Sequence, residues 1–340
     1  MSLKDTTAWG SVRKVRFKSQ IVDLARLAAT HNKTHFSPQM MLDLIRSQRL
    51  RREVPRLKSL QYSTYRRAGR RPVDDPPYYS LVSEYLTFAK SLGLLHLEKG
   101  KIVANDESYR ILELSESDPT KVDVELVRVV LSSKYRAYFK FLSLLSRIGG
   151  LLRIPGPMTG RTKGSGLKEF LRREGFFTDV ASFYTIRDLF YDFNLVNWSY
   201  DLQTRDETIY MTCSLGKSSD SNFVKYCRIN EETVSWWRNI SLDDFQTRVM
   251  DTYLELTKRT FGKIIPIFEL RDLVTSVLKL SDTQFNDLVV RLSEKEKSNI
   301  TLSYGTLNPV VRKGDVSKGA NLPILSKNRT GNFLRIWRPA

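Results

Sequence analysis

Cysteine, histidine and long apolar runs are all scarce in this chain of 340 residues. It has 3 histidines and 2 cysteines, and so few cysteines argue against a disulfide framework and for a reducing cytosol. No apolar run reaches about 18 residues, so we expect no membrane span. The first 18 residues are polar and basic without an apolar region, so secretion is not expected. The expected location is the cytoplasm or nucleoid, or the nucleus of a eukaryote.

Acidic residues are also scarce, but only at the two ends of the chain. The net charge is +18, from 55 Lys and Arg against 37 Asp and Glu. Residues 1–71 hold 17 basic and 4 acidic residues, and residues 305–340 hold 7 and 1. The 31 basic and 32 acidic residues between them nearly cancel. Two basic ends on a neutral body indicate a polyanion partner, whose phosphates would release counterions on binding.

Apolar periodicity predicts a mainly α fold with short β-hairpins, of the α+β class. Ser37-Pro38 supplies an N-cap and a first helical residue for the second of two helices in residues 17–50. Further helices are predicted at 78–92, 124–131, 135–148, 167–174, 180–193, 242–261, 267–278 and 282–297. Hairpins are predicted at 94–103 and 198–213, and strands at 300–304 and 333–337. Trp236-Trp237 is interpreted as core at a helix end, with base stacking as the alternative.

The helix-turn-helix-hairpin order, clearest from Ile267 to Trp337, resembles the winged-helix superfamily. The whole chain is similar to a tandem winged-helix array, as in the DNA-recognition region of some type IIS restriction endonucleases. The end of one such domain is resembled by residues 85–103, YLTFAKSLGLLHLEKGKIV. We predict a basic helical segment at 1–71, winged-helix-like units at 72–120 and 121–230, and a winged helix with a basic wing at 231–340.

The predicted DNA-binding residues form two groups. The first is an arginine-rich cluster with one acid, Glu53, in its range: Arg46, Arg49, Arg51, Arg52, Arg56, Lys58, Arg66, Arg67, Arg70 and Arg71. The second follows from the resemblance, which implies that the third helix enters the major groove while the wing touches the backbone. It consists of the helix residues Gln284, Asn286 and Arg291, and of the wing residues Arg312, Lys313, Lys318, Lys327 and Arg329. Asp287 departs from that pattern.

No catalytic, metal or cofactor site is predicted. Asp74-Asp75 is the best acidic pair for a metal-dependent nuclease, but it lies among prolines and no ExK spacing follows it. His31 and His35 are spaced i, i+4 without a third ligand, so surface turn residues are favoured. Cys213 and Cys227 lack CxxC spacing, and the loop 156–166 does not match a phosphate-binding GxxxxGK[ST] motif.

These patterns predict a double-stranded DNA-binding protein without its own catalysis, as the recognition component of a defence, replication or transcription system. Two alternatives stay open. One is a metal-dependent nuclease or transposition factor, and the other is an RNA-binding protein or an adaptor in a larger protein complex.

Overall fold

The computed structural model describes residues 15–57, 77–158, 164–201, 203–216, 223–229, 232–238, 240–296, 299–303, 324–326, 329–331 and 333–337. In these residues the protein is mainly helical with small antiparallel sheets, which confirms the predicted α+β class. The helices are Lys18–Thr30 (α1), Pro38–Leu57 (α2), Pro77–Ser91 (α3), Asp106–Ser117 (α4), Pro119–Leu131 (α5), Ala137–Arg147 (α6), Gly164–Arg173 (α7), Val180–Asp192 (α8), Leu242–Leu256 (α9), Ile267–Leu278 (α10) and Asp282–Lys295 (α11).

The strands are short. They are Leu95–Glu98 (β1), Lys101–Ala104 (β2), Leu151–Ile154 (β3), Val196–Tyr200 (β4), Glu207–Met211 (β5), Cys213–Gly216 (β6), Phe223–Ile229 (β7), Glu232–Arg238 (β8), Ile264–Pro266 (β9), Ile300–Ser303 (β10), Ile324–Ser326 (β11), Arg329–Gly331 (β12) and Phe333–Ile336 (β13). They pair as β1-β2, β3-β5-β4, β6-β8-β7, β10-β13-β9 and β11-β12.

Helix ends follow local chemistry. Helices α2, α3 and α5 each begin at a proline, whose fixed φ and missing N–H are tolerated at the first helical position. Ser281 caps α11, because its Oγ accepts a hydrogen bond from the Gln284 backbone N at 3.1 Å. After α7, Gly175 has φ +90°, a conformation that favours glycine.

The chain divides into two compact units. The first comprises residues 1–140 and 181–192, and the second comprises 141–180 and 193–340. The four-segment division with boundaries at residues 71, 120 and 230 stays a prediction.

In the first unit, α1 is the central helix and packs against α2, α3, α4 and α5. The segment between α1 and α2 runs beside β2, where His35 forms an isolated antiparallel bridge with Lys101. Ile102 N donates to Thr34 O at 2.8 Å, and Lys33 N donates to Ile102 O at 2.7 Å. The N-terminal helices and the β1–β2 hairpin therefore form one packed structure.

In the second unit, a hydrophobic core lies under α9, α10, α11 and the β10-β13-β9 sheet. Every apolar residue predicted to face inward on α11 is buried there, namely Phe285, Leu288, Val289 and Leu292. Phe245 of α9 meets Phe285 edge-on, with ring centroids 5.5 Å apart. From β13, Leu334 and Ile336 complete this core.

In the described residues, one order of elements occurs three times: a helix, a short extended segment, two helices and two strands, with β11 and β12 inserted between the two strands of the third case. In each case the first extended segment pairs with the last strand. The pairs are His35 with β2, β3 with β5, and β9 with β13. From the sequence alone, only the helices and the final strands were predicted, without the first extended segments.

Several predicted features were wrong. Trp236-Trp237 lies in strand β8 of a three-stranded sheet, not at a helix end. Helix α9 ends at Leu256 instead of Phe261. Helix α4 and strands β3, β6, β7 and β9 were not predicted.

Candidate nucleic-acid interface

The arginine-rich cluster begins in helix α2. Arg46 is half-buried, and its Nη1 lies 3.2 Å from Asp43 Oδ1 in an ion pair. The next four arginines of the cluster follow in the same helix, which continues to Leu57. Beyond the described residues lie the side chains of Arg49, Arg51, Arg52 and Arg56, and all of Lys58, Arg66, Arg67, Arg70 and Arg71.

A buried polar network fixes α2 immediately before Arg49. Gln20 Nε2 of α1 donates to Tyr85 Oη of α3 at 2.5 Å and lies 3.5 Å from Gln48 Oε1 of α2. Gln48 Nε2 in turn donates to Asp23 Oδ2 at 3.3 Å. All four side chains are buried. Because a buried polar group that loses its partner is costly, this network specifies how the three helices pack.

The edge of the β1–β2 hairpin carries a second group of cations that the sequence did not identify. The bridge at His35 places the segment 33–36 beside Gly100 and Lys101. The exposed residues at this edge include Lys33, His35, Lys99 and Lys101, together with Glu98. No periodic pattern signals so short an extended segment, so the β1–β2 hairpin was predicted without the segment 33–36 beside it.

The three predicted reader residues of α11 have different surroundings. Asn286 is half-buried, and its Oδ1 accepts a hydrogen bond from Nη1 of the fully buried Arg271 at 3.1 Å. Gln284 is half-buried and its backbone N is taken by the cap. Arg291 is exposed beside Asp287. Desolvation raises the pKa of Asp287, and the charge of Arg291 offsets part of that increase.

The start of α11 is packed against β4. Asn197 Nδ2 donates to Leu280 O at 3.0 Å and to Asp282 Oδ1 at 2.9 Å. Ser281 and Asp282 are 1% and 4% exposed. Since helix-turn-helix proteins read bases mainly with the first residues of the recognition helix, this packing leaves α11 poorly placed as a reader.

Little of the predicted C-terminal wing is described. Arg312, Lys313, Lys318 and Lys327 lie outside the described residues. Arg329 begins strand β12, which pairs with β11. Both strands come between β10 and β13 along the chain, and the side chain of Arg329 lies outside the described residues.

The candidates for chemistry are dispersed. His31 ends α1 and His35 lies in the bridge to Lys101, so the two do not share a helix face. Cys213 and Cys227 lie in β6 and β7, the two strands on either side of β8. Among the described residues there is no group of three His, Cys, Asp or Glu that could hold a metal ion. Asp74-Asp75 lies outside them, so the nuclease alternative is untested.

Comparison with known proteins gives no relative. No family model, curated protein or solved structure matches the chain. None of the helices in the described part of the chain is long and apolar enough to cross a membrane.

Proposed function

We propose that this chain is a double-stranded DNA-binding protein that acts by binding, without catalysis of its own. The observation that carries the proposal is the cluster from Arg46 to Arg71, in which 10 of 11 charged residues are basic. So many cations close together in the sequence produce a positive potential that attracts a polyanion.

The repeated order of elements supports the same proposal. A helix, an extended segment, two helices and a hairpin whose last strand pairs with the extended segment resemble a winged helix. We assign this architecture three times, beginning with α1, α6 and α9. The fold alone does not decide function, because winged helices also bind proteins.

The first of these modules is the one best suited to the duplex. Its second helix, α2, leads directly into the rest of the arginine cluster, and its hairpin edge adds Lys33, Lys99 and Lys101. Arginine forms bidentate hydrogen bonds with phosphate and guanine, so α2 would supply both affinity and orientation. The packed start of α11 makes the last module a weaker candidate for reading bases.

A salt titration tests the proposal. If about six phosphates are neutralised, log K should fall against log salt with a slope near −5. The combined substitution Arg49→Gln, Arg52→Gln and Arg56→Gln should weaken binding to a blunt duplex and reduce this slope by about 3.

The control is the combined substitution Arg136→Gln, Arg147→Gln and Arg172→Gln, which removes the same charge at exposed positions outside the cluster. This control variant should keep most of the slope of log K against log salt. A flat salt response of the wild-type chain, or equal losses in the two variants, would contradict the proposal. Competition by RNA that exceeds competition by duplex DNA would favour the RNA alternative.

A further inference from the structure

The outer face of the β10-β13-β9 sheet carries an exposed aromatic and cationic surface. Leu334 and Ile336 point into the core, so Arg335 and Trp337, which alternate with them, lie on the opposite face. By register, Arg335 lies between Thr301 of β10 and Ile264 of β9. We call Ile264, Thr301, Arg335 and Trp337 the sheet platform.

Trp337 is held in place but remains accessible. Its backbone N donates to Asn299 O at 2.7 Å, and its indole Nε1 lies 3.4 Å from Thr301 Oγ1. On the other side, Gly262 N donates to Ile336 O at 2.8 Å, and Gly262 lies against the indole ring. Trp337 is nevertheless 43% exposed, and Ile264 is 52% exposed.

Arginine and tryptophan are stacked on this platform. The Arg335 guanidinium carbon lies 4.9 Å from the centroid of the Trp337 ring. Cation–π contact of this kind orients a planar guanidinium, and nucleic-acid bases stack on aromatic rings and on guanidinium planes. The half-buried Arg335 stacked on the exposed Trp337 therefore offers a stacking surface of the size and polarity of a nucleobase.

The charge around the platform is mainly positive, although the half-buried Glu296 accepts a hydrogen bond from Asn299 Nδ2 at 3.1 Å. Residues 257–266, 299–303 and 333–337 contain four cations and no Asp or Glu: Lys258, Arg259, Lys263 and Arg335. Lys258 and Arg259 are exposed and both adopt a left-handed backbone, with φ +54° and +59°. This turn presents two cations just before the strand that bears Ile264, within the same unit.

We propose that the sheet platform binds single-stranded DNA, with an unpaired base stacked on Arg335 and Trp337 and its phosphates near Lys258 and Arg259. Cations beside an exposed aromatic surface suit a phosphate chain with unpaired bases. The proposal concerns a second site and stands independently of the duplex contact proposed for α2.

Photo-crosslinking tests the site on the intact wild-type chain. A labelled single-stranded DNA that contains 5-iodouracil should crosslink on irradiation, and mass spectrometry should find the adduct on Trp337. Adducts confined to residues outside the platform would overturn the proposal. Because this readout needs no variant, it does not depend on how a substitution affects folding.

Affinity measurements give the quantitative test. Trp337→Ala should weaken binding of single-stranded DNA about tenfold or more, while Trp337→Phe should retain most of the affinity. Leu273→Ala is the matched control, because Leu273 is 42% exposed on α10, away from the platform. It should leave the affinity within about twofold.

Blunt duplex DNA is measured in parallel so that the two proposals fail separately. Trp337→Ala should leave duplex affinity unchanged, and the triple α2 substitution should leave the Trp337 adduct in place. Equal losses of single-strand affinity in Trp337→Ala and Leu273→Ala would overturn the platform. Tighter binding of RNA of the same sequence would overturn the assignment to DNA.

Discussion

At the scale of single residues, the buried polar groups differ in how well they are satisfied. Tyr138 is fully buried, and its hydroxyl has no hydrogen-bond partner. Burial raises the pKa of Tyr138 well above its usual value, and the nearby Tyr135 adds a smaller increase. Tyr253 is equally buried, but its hydroxyl donates to Lys263 O at 2.6 Å. The tyrosine hydroxyl is therefore expected to lower the stability of the fold at position 138 and to raise it at position 253.

We expect Tyr138→Phe to stabilise the protein and Tyr253→Phe to destabilise it. Removing the unpartnered hydroxyl relieves a desolvation penalty of about 1 kcal/mol, whereas removing the paired one leaves a carbonyl without its donor at a similar cost. Calorimetric unfolding of each variant against the wild type measures both. A loss of stability in Tyr138→Phe equal to that in Tyr253→Phe would show that the Tyr138 hydroxyl is satisfied in solution.

At the scale of elements, the carboxylate of Asp206 links the turn between β4 and β5 to the end of β3. Asp206 accepts a hydrogen bond from the Gly156 backbone N at 2.8 Å and pairs with Arg153. A Cβ atom at Gly156 would overlap the carbonyl oxygen of Thr204, so only glycine allows this close approach. The hydrogen bond from Gly156 first, and then the one from Arg153, hold the pKa of Asp206 below its usual value.

We expect Asp206→Asn to remove an acid-sensitive part of the stability. A carboxylate whose pKa is lowered by folding stabilises the native state above its unfolded pKa of about 3.9, and this contribution is lost as pH falls through the folded pKa. Unfolding of the wild type and the variant should therefore differ at pH 7, and the difference should shrink as the pH falls below the unfolded pKa and through the folded pKa.

The matched control is Asp287→Asn, because desolvation raises the pKa of Asp287 instead of lowering it. That change should have the opposite sign or no effect at pH 7. A constant difference between Asp206→Asn and the wild type across the whole pH range would rule out ionisation as the cause.

Sequence periodicity predicted most of the long amphipathic helices, although it missed the 12-residue helix α4, and it failed for the shortest extended segments. Helix α10 and the strands β10 and β13 were predicted, because each has apolar residues at regular spacing. Strand β9 has only three residues, and the extended segment at His35 is a single bridge. Such segments are fixed by pairing with distant strands, and local sequence carries little of that information.

The candidate sites show the same division. The arginine cluster is visible in the sequence because its residues are contiguous, and α2 accounts for the first half of it. The sheet platform instead combines residues 264, 301, 335 and 337, which only the register of three strands brings together. Its best sequence signal is the FLRIW segment, which was predicted as a strand without any assigned role for Arg335 or Trp337.

At the scale of the whole molecule, two proposed DNA sites occur in one chain, so a DNA with a duplex part and a single-stranded part offers a ligand to each of them. The duplex contact lies in the first unit, and the sheet platform lies in the second. Two sites on one chain raise the effective concentration of the second binding step to about the millimolar range when both can bind together.

We therefore expect a duplex with a single-stranded tail to bind more tightly than a blunt duplex or a single strand of the same length. The gain should be about tenfold or more, because the tail binds to the platform without a second loss of translational freedom. Titrations of the three DNAs at one salt concentration measure this gain, and Trp337→Ala should remove it while leaving blunt-duplex affinity intact. If the tailed duplex binds only as tightly as the better of its two parts, the sites do not act together on one DNA molecule.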